Sequence, residues 1–90
     1  MLRKNSIHPE IHLRHLSVDE AIYRLEKYLD SAFLRGIRQI RIVHGKGSGA
    51  ISNAVWELLK GHPLVKTYRF ADPGRGDYGV TITEMHQKPI

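Results

Sequence analysis

The stretch His44-Gly45-Lys46-Gly47-Ser48-Gly49-Ala50 constrains this chain more than any other part of it. It follows the branched apolar run Ile40-Arg41-Ile42-Val43 and leads into a helical pattern at Ile51, Ala54, Val55, Leu58 and Leu59. Glycines between a strand and a helix permit a tight turn and leave backbone N–H groups bare at the positive end of the helix dipole. Such a turn is a ready anion site. With Lys46 and His44 inside it, the anion it suits is a phosphate.

The flanking patterns extend this unit in both directions. Ile11-His12-Leu13-Arg14 alternates apolar and polar, which suits a short strand. Ser17-Val18-Asp19-Glu20 has the spacing of a capping box, and Val18, Ala21, Ile22, Leu25, Leu29, Ala32 and Phe33 form a helical stripe behind it. Gly36 suits the left-handed residue that ends such a helix. Ile37–Val43 reads as the second strand, and Gly61 with Pro63 stops the second helix. Leu64–Phe70 reads as a third strand, residues 71–77 as a turn, and Tyr78–Met85 as a fourth strand in which Val80 and Ile82 share a face.

The order is β-α-β-α-β-β, an α/β chain of two layers (α+β) with a four-stranded mixed sheet and two helices. The first two crossovers should be right-handed and parallel, and the last two strands antiparallel. Residues 11–85 form the single domain, after a leader or linker over 1–10 and before a patternless tail over 86–90. Ninety residues leave no room for a second core.

Lys and Arg number 14 against 9 Asp and Glu, a formal charge of +5 that favours polyanionic partners, DNA or RNA. No apolar run is long enough to span a bilayer, so no membrane partner is expected. The absence of cysteine excludes disulfides, thiolate-bound zinc and a thiol nucleophile, and fits a cytoplasmic location.

Ligands of open α/β sheets gather at the carboxyl ends of parallel strands. Two loops share that edge, one with His12, Arg14 and His15, the other running from His44 to Gly49. If the first two strands are neighbours, three histidines, an arginine and a lysine converge. Arg14, His15, His44 and Lys46, with the backbone of Gly45, Gly47, Ser48 and Gly49, are therefore the candidate phosphate-binding set. Arg75, in a Pro-Gly-Arg-Gly loop, is a further candidate for a nucleic-acid backbone, with a solvated loop arginine as the plainer reading. Gly45-x-Gly47-x-Gly49 is neither the dinucleotide-binding spacing nor a Walker A loop. His12 and His15 fix no third ligand, so no metal site is expected. Histidine suits general acid–base work near neutral pH, yet no triad or paired-carboxylate spacing defines a reaction. Trp56 lies off the apolar stripe and reads as edge-of-core packing.

Together these segments resemble an Smr (small MutS-related) domain, in particular the version at the C-terminus of the recombination-suppressing bacterial MutS paralogue. Ile42–Ala50 is similar to the family's signature loop, with Ser48 where threonine is common. His62–Lys66, Phe70–Gly74 and Gly79–Ile82 are similar to its later segments. The resemblance implies a fold like the C-terminal domain of translation initiation factor three. It also implies nucleic-acid binding, and in several members an endonuclease that nicks DNA or cleaves RNA, linked to repair and recombination control. It further implies action beside a MutS-type ATPase, or in ribosome-associated quality control.

On that basis His12, Arg14 and His44 are the catalytic candidates, and a divalent metal such as magnesium is the one cofactor left open. The family's first motif, Leu-Asp-Leu-[Arg/His]-Gly, is here Ile11-His12-Leu13-Arg14-His15. A neutral imidazole in place of the aspartate offers a divalent cation no negative charge. The rival expectation is accordingly a module that binds DNA or RNA structure without cutting it. A third is a protein-interaction domain with incidental charge.

Overall fold

A computed structural model describes residues 9–89. Its elements are β1 (Glu10–His12), α1 (Val18–Leu34), β2 (Gln39–Val43), α2 (Ala50–Leu59), β3 (Val65–Phe70), a 3₁₀ turn (Asp77–Gly79) and β4 (Val80–Met85). Residues 1–8 of the expected leader and Ile90 of the expected tail lie outside the described residues. Pro9 and Glu10 belong to the fold, since the Pro9 carbonyl accepts the Arg41 N–H at 2.9 Å. The tail is tied down as well. His86 donates its N–H to Leu64 O, and Lys88 Nζ reaches Leu34 O at 3.0 Å.

α1 starts and stops on local chemistry. Ser17 Oγ accepts the Glu20 N–H at 3.2 Å, the first half of the capping box. The Glu20 carboxylate goes instead to Arg24, one turn on, at 2.7 Å. At the other end Gly36, at φ +71°, donates to Phe33 O while Ile37 donates to Ala32 O, a Schellman closure. Ala21, Leu25, Leu29 and Ala32 are buried. Val18, expected in the stripe, is 37% exposed, and Leu16 ahead of the cap packs against the core instead.

The sheet order is β1-β2-β4-β3, with β1 parallel to β2 and β4 antiparallel to both of its neighbours. β1, β2 and β3 thus run one way, and β4 returns between β2 and β3. Both crossovers step in the same direction across the sheet, so one hand of crossover puts both helices on the same face. Residues paired across strands share a face. Ile11, Ile42, Thr81 and Phe70 form one row under the helices, and Ile40, Thr83 and Tyr68 the next. Leu13, Leu25, Leu29, Ile40, Ile42, Val55 and Leu59 fill the space between the layers. Each contributes on the order of 1.5–3 kcal/mol by burial.

The opposite face carries Glu10, Arg41, Ile82 and Arg69 in one row, beside a small apolar cluster of Ala71, Val80 and Ile82. β4 is shorter than expected, because Tyr78 and Gly79 belong to the 3₁₀ turn. Gly76 at φ +117° and Asp77 at φ +54° fold the chain back there, and Asp77 donates its N–H to Asp72 O.

Candidate functional site

β1 ends at His12, two residues earlier than the alternation predicts, and the shortening determines where Arg14 goes. Leu13 still donates to Val43 O at 2.8 Å and is fully buried. The chain then turns through Arg14 and His15, with His15 at φ +69°. That is a left-handed conformation for which glycine is the ordinary choice. The turn carries Arg14 off the sheet face and over the β2–α2 loop. A Cβ on Gly45, itself at φ +80°, would lie 3.2 Å from Arg14 Cγ, so the bare backbone here is what admits the arginine stem. His15→Gly should raise stability by about 0.5–1 kcal/mol, strain relief outweighing the added unfolded-state entropy. A lower urea midpoint would refute it.

Between this turn and the loop lies a cleft of about 210 Å³, lined by Arg14, His15, Lys46, Gly47, Ser48 and the first turn of α2. No Asp or Glu lines it. α2 is capped by Gly49 in the left-handed conformation, with no side-chain acceptor from that residue. Ser48 Oγ accepts from Ala50 and Gly49 O from Asn53. Within the described residues no backbone acceptor takes the N–H groups of Gly47, Ser48, Ile51 or Ser52. Amide donors at the positive end of a helix, flanked by two cations, make a site for an anion.

His44 is in the wall of the cleft, but its ring is buried, 4% exposed, and both nitrogens are engaged. Nδ1 lies 3.0 Å from Gly45 O, which can only accept, so Nδ1 carries the proton. Nε2 then accepts from Thr81 Oγ1 at 2.8 Å, and Thr81 accepts the Trp56 indole N–H at 2.9 Å. Burial holds the His44 pKa below its ordinary 6.5, opposed in part by the bond to Gly45 O, and the ring is neutral at pH 7. The backbone N–H groups of His44 and Gly45 both donate to Gly79 O, clipping the loop to the 3₁₀ turn. His44 therefore shapes the loop. Its nitrogens do not open onto the cleft.

The three expected histidines do not converge. His15 lines the cleft and His44 is sealed beneath it. His12 stands on the open sheet face, its Nε2 2.7 Å from Glu10 Oε1. Glu10 also accepts from Arg41 at 3.1 Å, and its pKa is lowered chiefly by the His12 hydrogen bond. Arg75 is on that face too, near Arg41 and Arg69, and its carbonyl accepts from Arg41. Lys46 leans the other way, 3.5 Å from Asp77 and 4.7 Å from the Tyr78 ring centroid.

Sequence reading missed Thr81, Glu10, Asp77 and Tyr78. Thr81 had no signal, because its apolar neighbours Val80 and Ile82 mark the other face of β4 as the buried one, whereas the structure puts Thr81 under the helices. Trp56 stacks on Phe70 and meets Tyr68 edge-on, as edge-of-core packing with a hydrogen-bonding role added. Among the described residues no cluster of three or more His, Cys, Asp or Glu is placed to hold a metal. A hard divalent cation needs oxygen ligands with negative charge, and the cleft offers cations and amides, so it does not fit magnesium.

A domain model described as Smr domain matches residues 11–86. The chain belongs to the Smr domain family. Relatives named Endonuclease MutS2 include one from Lachnospira eligens, 49% identical over 94% of this chain, and one from Thermomicrobium roseum, 49% identical over 88% of it. The chain spans only 11% and 10% of their respective lengths. Among solved structures, the Smr domain of Thermus thermophilus MutS2 superposes with a TM-score of 0.85 at 36% identity, covering 87% of this chain and 98% of that one. YdaL, a stand-alone small MutS-related protein from Escherichia coli, shares the fold at a TM-score of 0.82 and 23% identity, covering 92% and 70%. The four-stranded mixed sheet with two helices is thus an Smr fold, and no helix among the described residues is long and apolar enough to cross a membrane.

Proposed function

We propose that this Smr domain grips the phosphodiester backbone of DNA or RNA in the cleft between Arg14 and the β2–α2 loop, acting in the setting of a MutS-type protein. One observation carries the reading. Arg14, Lys46 and a set of helix-start amides that no backbone acceptor takes line a cleft that no Asp or Glu lines, and the Lys46 ammonium, in an exposed pair with Asp77 at 3.5 Å, would turn from it to the phosphate. Arg14 supplies a planar fork and Lys46 a point charge, and neither discriminates bases. The test is affinity for DNA and RNA oligonucleotides across a salt series. Lys46→Ala and Arg14→Ala should each weaken binding about tenfold and lower the salt slope by about one phosphate equivalent, ~0.9 for duplex DNA. Unchanged slopes in both variants would move the binding site elsewhere.

A second reading, phosphodiester cleavage, is favoured by the name Endonuclease carried by relatives 49% identical to this chain. In it Arg14 and Lys46 stabilise charge developing on the scissile phosphate, and His15, which lines the cleft, handles the proton. His44 positions the loop, while His12, paired with Glu10 on the other face, is dispensable. Supercoiled plasmid incubated with and without magnesium separates the readings. Nicking that Arg14→Ala abolishes and His12→Ala keeps supports cleavage at this cleft, whereas nicking that survives Arg14→Ala belongs to another site or protein.

A further inference from the structure

Tyr78 is an exposed aromatic ring beside Lys46, a residue that lines the phosphate cleft. It lies in the 3₁₀ turn whose Gly79 carbonyl holds the His44 and Gly45 amides, so its position is fixed relative to the loop. The Lys46 ammonium sits 4.7 Å from its ring centroid and 3.5 Å from Asp77, yet Tyr78 is 55% exposed. A phosphate held by Lys46 leaves its own nucleoside within reach of that ring. Every nucleobase has a π-face, and an aromatic side chain beside a backbone-gripping cation is the pairing by which unpaired strands are held. Bases inside a closed duplex present no free face to such a ring.

We infer that Tyr78 stacks one unpaired nucleobase next to the phosphate held by Lys46, so the site takes strands with unpaired nucleotides in preference to closed duplex. The inference rests on the backbone-gripping reading above. The chain carries its own control, because Tyr23 on α1 is 58% exposed with Lys27 Nζ 5.2 Å from its ring centroid, and Lys27, unlike Lys46, lines no part of the cleft.

The experiment measures affinity of the full chain for an oligothymidylate and for a hairpin duplex of equal phosphate number closed by a non-nucleotide linker, each over a salt series. Tyr78→Leu should lose about tenfold on the oligothymidylate and less than about twofold on the hairpin, with the salt slope unchanged. Tyr78→Phe should bind as the parent does, and Tyr23→Leu should change neither. Equal losses on both probes with a lower slope would mean that Tyr78 only holds Lys46, and would overturn the inference. So would a Tyr78→Leu protein that binds both probes normally. If the parent chain binds neither probe, the backbone-gripping reading itself fails, and that outcome is distinct from a Tyr78 effect.

Discussion

Thr81→Val should lower the unfolding free energy by about 2–4 kcal/mol, although it changes neither the shape nor the size of the side chain. The Thr81 hydroxyl is fully buried and stands between two groups that have no other partner among the described residues, the Trp56 indole N–H and His44 Nε2. Removing it leaves a donor and an acceptor unpaired, and each buried orphan costs about 1–3 kcal/mol, less for Trp56 because it is only half-buried. Two positions along the same strand, Thr83 is equally buried, and its hydroxyl has no partner among the described residues. Thr83→Val should therefore leave stability unchanged or raise it. The two substitutions are chemically identical, so β-propensity and packing volume cancel in their difference. Urea denaturation of both variants measures that difference, and equal midpoints would dispose of the network as a source of stability.

His44 also shows how far the sequence could be read. Along β2, Ile40 and Ile42 face the helices, and continuing the two-residue period puts His44 on the same buried side. The ring's burial was therefore legible from spacing, although the identity of its partner was not. Thr81 arrives from a strand that pairs with β2 only because β4 inserts between β2 and β3. A β3–β4 hairpin is a local event that turn residues announce, whereas the edge of the sheet it joins depends on the whole assembly. Ser17, Gly36 and the glycine loop were readable because caps and turns act over three or four residues.

The division of the first motif between two faces was not readable. In a strand running to Arg14, His12 and Arg14 would share a face. Ending the strand at His12 and turning through a left-handed His15 sends the arginine to the cleft and leaves the histidine with Glu10. One residue in an unusual conformation thus decided which half of the motif meets the phosphate cleft.

The 3₁₀ turn opposite the loop should prove as demanding as the network beneath it. Gly76→Ala should destabilise the domain by about 3 kcal/mol or more, through two separable effects. At φ +117° an L-residue is strained, at about 1–2 kcal/mol. An added Cβ would also lie 2.7 Å from Val80 Cβ and closer still to Val80 Cγ2. Val80 is 5% exposed and packs with Ala71 and Ile82, so it cannot swing away freely. Val80→Ala removes both γ-methyls and with them the closest contact, at its own cost in lost burial, while the approach to Val80 Cβ remains. In the double-mutant cycle the Gly76→Ala penalty should accordingly fall by about 1–2 kcal/mol in the Val80→Ala background, leaving the conformational part and the contact with Cβ. Additive penalties would mean that the γ-methyls of Val80 play no part in the requirement for Gly76. A coupled result would mean that the turn presenting Asp77 and Tyr78 to Lys46 is set by steric contact with the first residue of β4. The carboxylate and ring that flank Lys46 would then be held by the small apolar cluster on the face away from the helices.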